Sequence, residues 1–271
     1  MRIAYYIKKD SLNSDAKVKS LLDELRGSFD VYSVRRQSDI LPSTSVLLSI
    51  GGDGTFLTAA RIAAPCGIPV LGVNFGRLGF LSENQPEDIV PALRDGRYSI
   101  EERSMLCASL EKSGSSGLPY ALNEVCVSRK SMVMLGVDVE IDGAALPTYW
   151  ADGLLVATSS GSTAYSLSVG GPICAPQSSV LIVAPVSPHN LNVRPLIVPD
   201  SSTMTISFRS REPELVFSMD DCIYSIPSTE RISVCAAPVR LKLVKLRGNG
   251  FVDALRSRLL WGQDVRNINE N

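Results

Sequence analysis

The chain has 271 residues, 45% of them hydrophobic and 20% charged, with a formal net charge of −1. That length holds one large domain or two modest ones around a real core, and the near-neutral charge argues against a nucleic-acid surface or a basic membrane face. No apolar run reaches membrane-spanning length and residues 3–7 are already strand-like, so the expectation is a cytosolic chain without a leader peptide.

Residues 1–98 alternate strand and helix. Residues 3–7 read as a strand, and Val18, Leu21, Leu22 and Leu25 form a helical stripe ending before Gly27. Strands follow at 29–34 and 46–50. Phe56, Leu57, Ala60, Ala63 and Ala64 make the next stripe, stopped by Pro65; a strand at 69–73 and a helix from Pro86 to before Gly96 complete the rhythm. Such βαβ alternation predicts a parallel sheet, with ligands beyond the carboxyl ends of its strands. From about 100 to 249 the pattern changes to short strands, at 137–141, 180–184, 204–208, 215–218, 232–236 and 241–246, with a hairpin turn at Asp142 and Gly143. This half reads as an antiparallel sandwich, with 113–117 as a hairpin tip. Residues 251–261 return to helical spacing, Val252, Leu255 and Leu259 on one face, and have the α/β half to pack against. The expected domains are therefore 1–98 plus 250–271, and 99–249.

The six cysteines form no Cys-x-x-Cys pair and each lies in or near an apolar run, which reads as buried free thiols in a reducing compartment. His189 is the single histidine and no Gly-x-Ser-x-Gly elbow occurs, which argues against a serine hydrolase.

Gly51, Gly52, Asp53, Gly54 and Thr55 follow the apolar strand 46–50 and open a helical pattern. Three glycines leave backbone N–H groups bare for a phosphate chain. A carboxylate in that loop repels phosphate unless it takes a hydroxyl proton or meets a bridging cation, so the loop points to phosphoryl transfer. A tight strand-to-helix turn with Asp53 or Thr55 as a cap is the structural alternative. In the second half, Asn123 and Glu124 lie in a strand-like stretch. There an amide can read an adenine edge or a ribose, or staple a strand end. Asp152 and Gly153 precede an apolar strand. Thr158, Ser159, Ser160, Ser162 and Thr163 then flank Gly161 and run into Ala164 and Tyr165, with Gly170, Gly171 and Pro172 beyond. Small hydroxyls ending in an aromatic ring suit a flat ligand bearing sugars or phosphates, and they also suit a helix cap. Arg103 places a fixed cation at the domain junction, for a carboxylate or a phosphate.

Together the segment 51–55, the loop 74–81, Arg103 with Ser104, Met105 and Leu106, the Asn123–Glu124 pair, and the run 152–165 with 170–172 resemble the NAD kinase family, ATP-dependent and in some members polyphosphate-dependent enzymes that make NADP. They occur in the family's order over most of the chain. The first motif is shared with diacylglycerol and sphingosine kinases, and phosphofructokinases carry a related loop. The later ones are more specific.

The resemblance implies an α/β, Rossmann-like N-terminal domain for nucleotide and phosphate, a β-rich C-terminal sandwich for substrate, and a last helix returning to the first. It implies transfer of the γ-phosphate of ATP to the 2′-hydroxyl of the adenosine ribose of NAD, with a divalent cation such as Mg²⁺ bound mainly through the donor. Asp53 would take the hydroxyl proton, and Gly51, Gly52, Gly54 and Thr55 would hold phosphates. Phe80 and Leu81 would line the adenine pocket, and Asn123 and Glu124 would bind adenosine. Thr163, Ala164, Tyr165 and Ser168 would meet the substrate. Asp152 would act across a subunit interface, implying a homodimer or homotetramer. Asp220, Val186 and His189 complete the set. Two departures stand out: Trp150 where the family commonly has arginine, and Asp221 where glycine usually follows Asp220. A lipid kinase and a catalytically silent NAD-binding regulator stay open as alternatives. The former should show a membrane-docking face, and the latter would bind NAD without turnover.

Overall fold

The computed structural model describes residues 1–76, 79–114, 117–246 and 250–262. The expectations for Arg77, Leu78, Ser115 and Ser116, and for the end of the last segment, lie outside those residues. The chain divides into two compact units, Met1–Glu102 with Leu241–Asn271, and Arg103–Arg240.

In the first unit β1 (Arg2–Ile7), α1 (Ala16–Ser28), β2 (Asp30–Ser33), β3 (Thr44–Gly51), α2 (Asp53–Ala63), β4 (Val70–Asn74) and α3 (Pro86–Asp95) follow in turn. The Asp15 side chain accepts the N–H groups of Lys17 and Val18 and so fixes the start of α1. The stripe Val18, Leu21, Leu22 and Leu25 is buried, but α1 runs on through Gly27 to Ser28, because one glycine costs less than the packing of that stripe provides. Proline in its first turn starts α3, and Gly96 ends it at φ 63°. The strands lie in the order β2–β1–β3–β4, all parallel. Their carboxyl ends thus share one edge, where β3 delivers Gly51 and β4 delivers Asn74.

The chain enters the second unit along β5 (Tyr98–Leu110), a strand the sequence pattern missed. Then come β6 (Glu124–Ser128), β7 (Leu135–Ile141), β8 (Ala144–Ala145), β9 (Tyr149–Ala151), β10 (Gly153–Thr158), α4 (Tyr165–Ser168), β11 (Val180–Val186), β12 (Leu196–Pro199), β13 (Met204–Arg209), β14 (Glu214–Met219), β15 (Cys222–Pro227) and β16 (Arg231–Leu246). One antiparallel sheet runs β12–β11–β10–β6–β14–β15. In the other, β7 pairs with β13 and β9, and β13 pairs with β16. Leu154, Val156, Phe217, Val137, Val139 and Ile206 from both sheets share one buried core, the expected sandwich.

Two expected strands, 232–236 and 241–246, are one: β16 returns the chain to the first unit, where Leu243 pairs in parallel with Val70. The last helix, α5 (Phe251–Leu259), belongs to that unit, as expected. Of the predicted stripe, Leu255 and Leu259 are half-buried, and the departures lie elsewhere. Val252 is exposed, Ala254 is buried, and Arg258 is turned inward to Glu83. The thiols also depart from expectation: only Cys126 and Cys174 are buried, while Cys66 is exposed. Among the described residues no helix is long and apolar enough to cross a membrane.

Candidate active site

In the first unit, β3 ends in Gly51 at φ 152° and α2 begins at Asp53. A side chain at Gly51 would overlap Thr55, so both the backbone angle and the space require glycine there. Gly51, Gly52, Asp53 and Thr55 line a cavity of about 620 Å³ together with Lys9, Ser11, Leu12, Phe75, Gly76 and Gly79. Asp53 sits in the first turn of α2, where the aligned peptide dipoles favour negative charge. Its carboxylate accepts three backbone N–H groups: Phe80 to Oδ2 at 2.9 Å, Leu81 to Oδ1 at 3.1 Å and Ser82 to Oδ1 at 2.9 Å. A carboxylate has about four lone-pair sites, so one on Oδ2 is left for a further donor. Gly79 passes so close that a Cβ there would overlap the Asp53 carboxylate. Phe80 and Leu81, expected in an adenine pocket, are half-buried and meet Asp53 through their backbone. Gly54 is not in the cavity lining; its carbonyl faces Lys8 Nζ at 3.5 Å.

In the second unit the structure gathers Asn123, Glu124, the hydroxyl-rich run and Asp220. Asn123 immediately precedes β6, beside the end of β10. The Thr158 amide donates to the Asn123 carbonyl at 2.9 Å, and the Thr158 hydroxyl donates to the Leu122 carbonyl at 2.6 Å. Gly161 lies against the Asn123 carbonyl with no room for a Cβ. Gly161 belongs to a 3-10 turn, Ser160–Thr163, which the four residues of α4 follow. Asp220, in the turn between β14 and β15 at φ 51°, accepts from Leu122 at 2.7 Å, Asn123 at 2.8 Å and Glu124 at 3.1 Å. Burial pushes the Glu124 carboxyl up to about 7, with the Asp220 charge adding to it and the Tyr165 amide opposing it. Tyr165 is 42% exposed. Its hydroxyl is raised by burial and then by the charges of Cys126, Asp152 and Glu124, which places Asp152 within electrostatic reach.

Asp152 pairs with Arg129 at 2.7 Å, a partner with no signal in the sequence. Its amide donates to the Val186 carbonyl at 2.9 Å, and the His189 amide donates to the Trp150 carbonyl at 2.8 Å. Asp152, Val186 and His189 are thereby neighbours, joined by backbone, with His189 exposed and Val186 buried. Thr163, Ala164 and Ser168 lie in or beside the short helical turns, the Thr163 hydroxyl facing the Ser160 carbonyl at 3.5 Å. Arg103, the expected junction cation, is buried.

Comparison with known proteins finds likenesses over both units of the chain. The ATP-NAD kinase N-terminal domain model matches residues 13–96 and the ATP-NAD kinase C-terminal domain model matches 122–246. An NAD kinase of Flavobacterium psychrophilum is 37% identical over 261 residues, covering 93% of this chain and 88% of its own. An NAD kinase of Bacteroides fragilis is 40% identical over 262 residues, covering 95% and 85%. Among solved structures, yeast NADH kinase complexed with NADH superposes with a TM-score of 0.86 at 25% identity, over 97% of this chain and 89% of that one. An NAD kinase from Archaeoglobus fulgidus in complex with ATP gives 0.75 at 25% identity, over 91% and 94%. With both halves of the motif set in place and relatives alike over nearly their whole length, the chain belongs to the NAD kinase family.

Proposed function

We propose that the chain phosphorylates NAD, moving the γ-phosphate of ATP to the 2′-hydroxyl of the adenosine ribose and releasing NADP and ADP. The observation that carries this reading is the Asp53 carboxylate, fixed by three amides at the edge of a glycine-lined cavity, with one Oδ2 lone pair unused among the described residues.

Phosphoryl transfer asks a protein mainly for in-line positioning and charge stabilisation. The glycine loop and the positive end of α2 receive the donor phosphates. Asp53 accepts the hydrogen of the attacking hydroxyl, orienting the oxygen and taking the proton as the bond to phosphorus forms. The three amides offset its charge against the phosphates. Asn123 and Glu124 hold the adenosine, and Tyr165 offers an exposed ring for stacking, with Thr163, Ala164 and Ser168 beside it. Asp220 supports this reading indirectly, by fixing the amides of 122–124. Among the described residues no cluster of three or more His, Cys, Asp or Glu side chains could cage a metal, so a divalent cation would arrive as part of the donor, neutralising its phosphates. The six free thiols support a reducing, cytosolic setting. The exposed Met132, Met134 and Trp150 near Asp152 offer apolar area for a second copy in a homodimer or homotetramer.

The test is purified chain with NAD, ATP and Mg²⁺, read by an NADP-specific dehydrogenase. NADP that forms with the wild type and is lost in Asp53→Asn supports the reading. NAD binding without turnover would favour the silent regulator.

A further inference from the structure

We propose that Arg258, on the last helix, is a positioning residue for the Asp53 carboxylate; the proposal rests on the phosphotransfer reading above. Asp53 takes its three bonds from the backbone of residues 80–82, so the carboxylate points where that segment puts it. The segment has no helix or strand of its own. Asn84 ties its far end to β4, donating to the Gly72 carbonyl at 2.8 Å; Phe80 at the start and Glu83 just past the end are two further side-chain anchors, and a single guanidinium grips both. Arg258 Nη2 donates to Glu83 Oε2 at 2.8 Å, and the guanidinium carbon stands 5.1 Å from the Phe80 ring centroid. The pair is well buried, with side chains 9% and 4% exposed, so water competes little for it. Planar guanidinium geometry lets one group serve a carboxylate and a ring at once.

Lys245, from β16, also bonds Glu83. Removing Arg258 therefore leaves the buried carboxylate paired and the fold supported, while Phe80 loses its cover and the amides of 80–82 gain freedom. A misplacement of about 1 Å in a reacting group can cost on the order of 10²-fold in rate. The helix thus reaches the chemistry through a loop it clamps, without touching substrate.

The experiment is steady-state and labelled-phosphate kinetics on the full chain, with Arg258→Ala and Arg258→Lys made alone and in the Asp53→Asn background. Arg258→Ala should lower kcat by roughly 10–100-fold while the KM values for NAD and ATP stay within about threefold. Arg258→Lys should recover part of the loss, since an ammonium can still pair with Glu83 and sit over the ring. Once Asp53 is replaced, Arg258→Ala should change the residual rate by less than about threefold, because residues acting as a unit are non-additive. Equal losses in both backgrounds, or an unchanged kcat, would overturn the positioning role alone. Should Arg258→Ala fail to fold, Phe80→Leu removes the ring end of the clamp and must show the same non-additivity. No NADP from the wild type would instead overturn the phosphotransfer reading, and this proposal with it.

Discussion

Asp220 Oδ1 accepts the backbone N–H of Asn123 at 2.8 Å. With Leu122 at 2.7 Å and Glu124 at 3.1 Å, one carboxylate holds three successive amides, the same device by which Asp53 holds residues 80–82. The family resemblance implies Asp220 among the site residues, and its carboxylate braces the backbone at Asn123 and Glu124. The positive φ at Asp220 and the following Asp221, where the family usually has glycine, do not disturb that brace.

Asp220→Ala should therefore act on NAD more than on ATP. Losing the acceptor leaves partly buried amides unpaired at about 1–3 kcal/mol. The expected outcome is a KM for NAD raised by about tenfold or more, one tenfold step being about 1.4 kcal/mol, with the KM for ATP little changed, measured by initial rates with each substrate varied.

Asp53→Asn should lose on the order of 10²–10⁴-fold in kcat, the usual range for a general base. It should also destabilise the protein by about 1–3 kcal/mol. Either rotamer of the amide turns an NH₂ donor toward an N–H, that of Phe80 or those of Leu81 and Ser82. Denaturant unfolding beside kinetics checks both parts; an asparagine variant as stable as wild type would contradict the three-amide clamp.

Gly79→Ala should behave as an active-site mutation although it adds one methyl group, because that Cβ overlaps the Asp53 carboxylate. We expect kcat to fall by roughly 10²-fold, the scale of a misplaced reacting group. Gly27→Ala, with open space around it inside α1, should instead leave the rate unchanged and add about 0.5–1 kcal/mol. Rates and melting temperatures of the two variants make the comparison.

Glu124 gives a pH dependence. Its ordinary value is 4.5 and the fold raises it to about 7, chiefly by burial. Between those values the folded chain binds a proton that the unfolded chain does not, so stability is greatest below the lower value and falls as pH rises through the upper one. The amplitude is at most about 3 kcal/mol. Glu124→Gln should flatten this part of the profile and raise the melting temperature at pH 8, measured by thermal unfolding from pH 5 to 8.

The sequence by itself determined what is local and periodic. Unbroken apolar runs and helical stripes specified the parallel strands and helices of residues 1–98, since each element must bury one face. Gly51 and Gly161 were legible as glycines because the space at each permits nothing larger. Only the tertiary structure decided which groups meet across long separations. Arg129 beside Asp152, Asp220 beneath Asn123, and Arg258 on Glu83 and Phe80 join residues 23 to 178 positions apart, and no periodicity encodes such pairs. The inward face of α5 shows why. Apolar spacing favoured Val252, but the buried Glu83 draws Arg258 inward, because a carboxylate away from water requires a cation more than a helix requires one more buried valine.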